Sequence, residues 1–366
     1  MTEASASDLV SPTDDIQSVL DSVIGAGKSA VHRIGADEVR RLAEHQVDVR
    51  GEVRITVTGD GGEVGASNGI VVFDAEWDSA DGPVSRELVL RHAPGSDRRL
   101  FFEYDLARQF TVQQALFGTG IPVPQPLWLD TDGRWLGVPG YVMSRTEGIA
   151  PSPAAFVRGP LADASEADRE EMIGQIMRTL VRIHRTDVAA SGLSDFVMNA
   201  PGSTPLERCI NWYWRTWDWI ALPHRERLVS VREALLKHAP SGEPELLHGD
   251  TTLQNYLFNG TQLVAVLDWE MSTLGRAEAD LALQCLSNEL FAPPVGSPFA
   301  QPPSEAEWLD RYRDAGGRSL RDFGYYKKLA AYMVIVAVSA LQRNMSEEER
   351  SAHEPLLRPC WKLVAE

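Results

Sequence analysis

Cysteine is scarce in this chain: Cys209, Cys285 and Cys360 are the only three in 366 residues, and no two form a C-x-x-C pair. That excludes the common cysteine zinc patterns and a disulfide framework, and it suits a reducing compartment, so the expected location is the cytoplasm. Positive charge is short as well: 35 Lys and Arg against 52 Asp and Glu leave a formal net charge of -17. Nucleic-acid surfaces are normally basic, so no nucleic-acid partner is expected. Long apolar runs are missing too. The longest, "LAAYMVIVAVSAL" from Leu329 to Leu341, is too short to span a bilayer, so no membrane partner is expected and a buried core helix is the reading. The opening "MTEASASDLVSPTDD" has neither the basic nor the apolar segment of a secretory signal, and residues 1–15 are expected to form a disordered tail.

What is present is the composition of a soluble globular protein, 43% hydrophobic and 24% charged. The length exceeds that of a usual single domain, which points to two lobes. A helical pattern runs from about Asp15 to Gln46. The period then changes: "EVRITVTGD", "NGIVVFDAEW" and "RELVLRHA" read as strands separated by Gly, Asp and Ser turns. A helix is expected from about Leu100 to Phe117, then an extended connector forced by the prolines of "GIPVPQP", then strands "PLWLD" and "GYVMSR". Beyond Gly148 the chain reads as mostly helical. The expected organisation is an N-terminal lobe with leading helices over 16–146 and a larger helical lobe over 147–366.

Two short motifs point elsewhere and fail on context. "GAGKSA" at 25–30 ends like a phosphate-binding loop, but the glycine required five positions before Gly27 is Ser22. "GASNG" at 65–69 matches the nucleophile elbow of serine hydrolases, which needs a helix after the turn. Here "IVVFDAEW" follows, alternating like a strand. A hydrolase using Ser67 is the competing function that this motif leaves open.

The chemistry is concentrated in "LLHGDTTLQN", which places His248, Asp250 and Asn255 in one polar loop, followed by "LVAVLDWE", which ends an apolar run on Asp268. Between them Asn259-Gly260 is a hairpin signal. With those two residues as the loop, Phe258 faces Thr261 and Asp268 comes opposite Thr251. The hairpin thus folds two carboxylates and an amide into one cluster. Such a set of oxygen donors suits a hard cation such as magnesium, which holds few protein ligands and leaves room for phosphate oxygens.

"HGDTTLQN" resembles the catalytic loop of the aminoglycoside phosphotransferase and choline kinase-like family, relatives of protein kinases. The resemblance extends from about residue 50 to 345 and looks closest to the members that phosphorylate hydroxyacyl groups. It implies an α+β, protein-kinase-like two-lobe fold, with a small β-rich N-lobe carrying one main helix and a larger, mostly helical C-lobe. It further implies an ATP- or GTP-dependent phosphotransferase acting on a hydroxyl of a small molecule, with magnesium as cofactor. Asp250 would be the base, and Asn255, five residues on, and Asp268 the metal ligands. "ELVLRHAPG" looks like the strand that supplies the phosphate-binding cation, normally lysine; Arg91 takes that position, and a guanidinium can grip phosphate oxygens bidentately. "GEVGASNG" would lie over the phosphates with Ser67 and Asn68 as donors, or be a plain hairpin turn. "LGVPGYVMSRTEG" resembles the hinge and places Met143 beside the nucleotide.

One departure from the family concerns the acid that holds the cation. That position falls on Gln109, which could accept a hydrogen bond from Arg91 but not pair with it as an ion. On one helix Glu103 would point roughly 120° away from Gln109. A nucleotide-binding but inactive module therefore stands as a third reading. By resemblance His248 is structural and Asp280 braces the catalytic loop, whereas Glu270 either joins the metal shell or is solvated. Finally, "CINWYWRTWDWI" puts four tryptophans and a tyrosine on one helix, with Tyr213 and Trp217 on one face and Trp212 and Trp219 on another. Either the helix is core or it lines an acceptor pocket suited to acyl, alicyclic or aromatic groups. Net acidity points instead to a cationic acceptor such as an aminoglycoside.

Overall fold

Alternation of more and less buried positions, clearest over residues 69–79, sets one apolar face on a sheet early in the chain. The computed structural model describes residues 34–59, 68–95, 99–221, 225–352 and 354–366. Within them β1 (Arg54–Gly59), β2 (Gly69–Ser79), β3 (Gly82–His92), β4 (Pro126–Asp130) and β5 (Gly140–Ser144) form an antiparallel sheet of order β1-β2-β3-β5-β4. Val71, Phe73, Ala75 and Trp77 of β2, with Leu88 and Leu90 of β3, turn to one face and pack under Val39, Leu42 and Ala43 of α1 (Ala36–Gln46). Because side chains alternate along a strand, Val89 and Arg91 turn to the opposite face, as do their register partners Met143 and Tyr141. There Tyr141 and Met143 pack against Leu106 of α2 (Leu106–Leu116). Arg91 is thereby placed between sheet and helix.

After β5 the chain is mostly helical: α3 (Pro160–Asp163), α4 (Glu166–His184), α5 (Pro205–Ile220), α6 (Val229–Lys237), α7 (Ala277–Leu290), α8 (Glu305–Asp314), α9 (Phe323–Leu341), α10 (Glu347–Ala352) and α11 (Glu354–Ala365). Two small ribbons interrupt them, β6 (Glu245–Leu247) with β9 (Thr273–Gly275) and β7 (Tyr256–Asn259) with β8 (Gln262–Val266). One core joins α4 to the β7–β8 hairpin; a second joins α5, α7 and α9. The apolar run at 329–341 is the middle and end of α9, with Tyr332, Ile335 and Val336 fully buried. Among the described residues no helix is long and apolar enough to cross a membrane.

Several boundaries differ from those expected. Of the long N-terminal helical stretch, α1 covers only Ala36–Gln46 within the described residues; the tail and "GAGKSA" lie outside them. The helix expected from Leu100 starts at Leu106, because Asp105 caps it, its carboxylate accepting the Arg108 N–H at 2.9 Å. The preceding aromatics serve another purpose: Phe101 and Phe102 pack on Trp212 of α5, with ring centroids at 5.1 and 5.4 Å. The hairpin register also differs. Asn259 pairs with Gln262, so the loop is Gly260-Thr261, and an irregularity at Leu257/Phe258 brings Tyr256 opposite Val266. A glycine in the first loop position, with φ of 57°, is the chemistry of a type II′ turn rather than the I′ turn that Asn-Gly suggests.

Candidate active site

The loop after β6 is shaped by what Asp280 accepts. This carboxylate, 1% exposed near the start of α7, takes the N–H groups of His248 and Gly249, both at 2.9 Å, and a ring nitrogen of His184 at 3.1 Å. Its own carbonyl accepts the Thr251 hydroxyl at 2.7 Å. His184 is held in turn by the Tyr312 hydroxyl at 2.9 Å. Two successive main-chain N–H groups on one buried carboxylate fix the direction in which the chain leaves β6. Gly249, with φ of 83°, completes the bend; a Cβ there would lie 2.0 Å from the Met271 carbonyl oxygen. The bracing role expected for Asp280 is therefore the observed geometry. His248 is structural as expected: Nδ1 accepts from the Asp250 N–H at 3.3 Å while Nε2 donates to the Leu267 carbonyl at 2.9 Å, tying the loop to the far strand.

Asp250 and Asn255 follow on this frame. The Asn255 amide nitrogen donates to the Asp250 carbonyl at 2.9 Å and to the Thr252 hydroxyl at 3.3 Å, and among the described residues Oδ1 accepts no hydrogen bond. The Leu267 N–H donates to the Asn255 carbonyl at 2.8 Å, so the segment carrying Asp268 lies alongside Asn255. The altered register thus moves the pairing partner without dispersing the cluster. Asp268 has left-handed backbone, φ 63° and ψ 66°, a conformation that costs a non-glycine residue about 1 kcal/mol or more. Burial, and after it the charge of Asp268, push the Asp250 carboxyl above the usual carboxylate value.

Arg91 meets the cluster from the sheet. It is 6% exposed, forms an ion pair and hydrogen bond with Asp268, and has Glu270 at 3.6 Å. Burial by itself would lower its pKa; the charges of Asp268, Tyr141 and Glu270 outweigh that and hold it above its ordinary value. Asn68, 7% exposed at the start of β2, donates to Glu270 at 2.6 Å. The expected Arg91–Gln109 hydrogen bond is not made. The guanidinium turns to the two acids across the cleft, and the buried Gln109 Oε1 has no partner among the described residues. The neighbouring Gln113 donates to the Tyr141 hydroxyl at 2.6 Å. Glu103 is not on the helix at all; it accepts from Asn199 at 2.7 Å. Met143 lies on the same sheet face as Arg91, two residues from its register partner. Ser67 lies outside the described residues, although β2, a strand, does follow it, as the hydrolase motif does not allow.

A match of residues 73–332 to the phosphotransferase enzyme family, APH, meets this geometry. The chain belongs to that family. It is 34% identical over 208 residues to acyl-CoA dehydrogenase family member 10 of Mus musculus, covering 55% of this chain and 18% of the mouse protein. Among solved structures, a provisionally named aminoglycoside phosphotransferase from Ralstonia eutropha superposes with a TM-score of 0.66 at 22% identity over 91% of this chain and 99% of that one. Choline kinase LicA from Streptococcus pneumoniae gives 0.52 at 13% over 89% and 97%. ADP-bound aminoglycoside phosphotransferase APH(2'')-Ib gives 0.50 at 14% over 88% and 97%. The APH fold is protein-kinase-like and α+β, and family and neighbours together support a small-molecule phosphotransferase.

In this APH chain three contributors escape a sequence reading. Arg108 on α2 donates to the carbonyls of Val197 at 2.6 Å and Ser272 at 2.7 Å and lies 3.8 Å over the Phe196 ring, tying the sheet-side helix to the loop beyond Asp268. His184 sits in "LVRIHRTD", whose helical spacing was legible but whose buried partner was not. Glu278 and Arg318 form a second charged cluster, 40 residues apart in sequence. Only the N-terminal acid of α7 offered a signal for it.

Proposed function

We propose that this protein transfers the terminal phosphoryl group of ATP or GTP to a hydroxyl of a small molecule. The observation that carries the reading is the convergence of Asp250, Asn255 and Asp268 on one braced loop and hairpin, opposite Arg91 on the sheet. In this reading residues 16–146 bind nucleotide and residues 147–366 supply catalysis and the acceptor site, in a cytoplasmic protein whose three cysteines are all buried free thiols.

Asn255 and Asp268 fit magnesium by donor chemistry. Among the described residues no three His, Cys, Asp or Glu side chains converge as a protein cage. One free amide oxygen and one carboxylate are the sparse, hard set that magnesium uses beside phosphates. Bound there, the ion would neutralise charge on the phosphate oxygens. Asp250 orients the acceptor hydroxyl and accepts its proton. Its raised pKa brings it closer to neutrality, which improves a base at working pH. Arg91 grips phosphate oxygens, Ser67 and Asn68 donate to them, and Gln109 and Met143 border the nucleotide. Catalysis is then positioning and charge neutralisation in a site shielded from water.

For the acceptor, the name of the mouse relative favours hydroxyacyl compounds. The net charge of -17 favours a cationic, aminoglycoside-like acceptor as the second choice. Tyr213 of the aromatic helix lines a small cavity with Leu247, Gly249 and Met271 beside the catalytic loop, and burial raises its hydroxyl pKa. The deciding experiment measures ADP and GDP release against a panel of hydroxyacyl thioesters, aminoglycosides and small alcohols, with and without EDTA. Acceptor-dependent release that EDTA abolishes is the expected result. Ester cleavage that survives EDTA and is lost in Ser67→Ala would instead establish the hydrolase. Tight nucleotide binding with no release for any acceptor would favour the inactive module.

A further inference from the structure

A buried guanidinium needs a carboxylate at all times, because stripping its partner leaves an unpaired charge in a poor solvent. Around Arg91 the helix offers none. Gln109 and Gln113 are neutral and 2% exposed, and Gln113 is spent on Tyr141, the residue paired with Arg91 across β3 and β5. Both acids come from the other side of the cleft, Asp268 and Glu270, and they are held differently. Asp268 is bonded to Arg91, and its side chain has no second hydrogen bond among the described residues. Glu270 stands 3.6 Å from the same nitrogen and is anchored by Asn68 at 2.6 Å.

We propose that Glu270 is the standing counter-ion of Arg91, a positioning residue that keeps the guanidinium paired and aimed at phosphate when Asp268 is engaged elsewhere. The proposal rests on the phosphotransferase reading, in which Asp268 also serves magnesium. Two acids on one cation are then a division of labour: one is free to change partners and the other, pinned by Asn68, stays. It also accounts for a glutamine at 109, since a third carboxylate beside Arg91 would have no cation of its own.

Two measurements test this. The first needs no nucleotide. Thermal melts of Asp268→Asn, Glu270→Gln and the double variant are compared in EDTA. Each single variant leaves Arg91 one acid, so the double variant is expected to lose more stability than the singles together; additive losses would overturn the proposal. The second titrates nucleotide calorimetrically over a series of magnesium concentrations, from limiting to saturating. Glu270→Gln is expected to weaken binding roughly 10- to 100-fold, and adding Gln109→Glu to it should restore binding to within a few-fold. Unaltered affinity in Glu270→Gln would overturn it outright, and a loss that more magnesium repairs and Gln109→Glu does not would overturn it in favour of a metal ligand. If the wild-type protein binds no nucleotide, the phosphotransferase reading fails, and the melts still decide whether Glu270 pairs with Arg91.

Discussion

Two arginines in this molecule each lie between two acids, and the clusters are finished differently. Arg318 donates to both oxygens of Glu245 at 2.8 and 2.7 Å and to both oxygens of Glu278 at 2.7 and 2.6 Å. The remaining acceptor capacity of Glu278 goes to the Arg321 N–H at 2.8 Å and to Arg276, and Glu245 also takes the Ala277 N–H at 3.0 Å. Among the described residues the Arg91 side chain makes one hydrogen bond, to Asp268, and its buried Nε has no partner. A network with every donor matched is rigid and holds α7 to β6 and the start of α9. One left under-bonded can exchange partners, which the phosphate-gripping role proposed for Arg91 requires. The acids differ in the same sense. Burial would raise the Glu278 pKa, but Arg318, Arg321 and Arg276 outweigh it and bring it down to about 2, whereas Asp250 is pushed up.

The sharpest break of this comparison is Asp250→Asn. Turnover is expected to fall roughly 10²- to 10⁴-fold, the usual contribution of a positioned acid–base group. Stability should hold or rise, because the folded state carries that charge at a cost. Nucleotide affinity by calorimetry should survive. An Asp250→Asn enzyme of undiminished rate would remove the catalytic assignment.

Next in size is Glu278→Gln, which breaks the closed cluster. Removing one partner of a buried ion pair costs about 3–5 kcal/mol, measured as a shift in the urea midpoint. The KM for nucleotide in the folded fraction should not move. A variant that loses nucleotide affinity with little loss of stability would show that the two clusters are not distinct in function.

The pH dependence of stability separates the same two acids by sign. Glu278 has a folded pKa of about 2 against an ordinary 4.5, so its contribution is complete above pH 4.5 and is lost as pH falls from there towards 2. The difference corresponds to about 3 kcal/mol. Asp250, raised in the folded state, acts oppositely: its protonation adds stability as pH falls. Denaturation curves between those limits should show the acid loss in the wild type and in Asp250→Asn, and a flatter limb in Glu278→Gln.

Much of this was legible because local rules carried it. Three of the sheet strands followed from their apolar patterning between Gly, Asp and Ser turns, and the other two from the apolar segments after the proline connector. The Asp250–Asn255 spacing and the acid just beyond β8 pointed to the candidate site without a contact map. What failed was set by distant partners. The aromatics at 101 and 102 have helical spacing but dock on Trp212, and the Asp105 cap was the overlooked signal. The hairpin slipped because Gly260 takes the first loop position rather than the second. The aromatic helix proved mainly core: Trp212, Tyr213 and Trp217 are 6, 4 and 5% exposed within the α5–α7–α9 cluster. No pattern in "LVLRHAP" announces that Arg91 pairs with an acid 177 residues away.

The smallest expected effect tests that last point from the other side. Gln109→Glu alone places a carboxylate where kinases place theirs, on the helix beside Arg91. If Arg91 were short of negative charge, this change should tighten nucleotide binding more than tenfold. With Asp268 and Glu270 already on the guanidinium, a third acid gains little attraction and is repelled by two like charges. Nucleotide affinity is expected to stay within about threefold, with a stability loss of about 1 kcal/mol. The contrast with the same substitution beside Glu270→Gln carries the information: near silence in one background and recovery in the other means that Arg91 needs one standing acid and is indifferent to its address. A large gain in the wild-type background would mean instead that the Asp268 and Glu270 contacts leave Arg91 under-paired, and that the difference from Arg318 reflects an incomplete site rather than an exchangeable one.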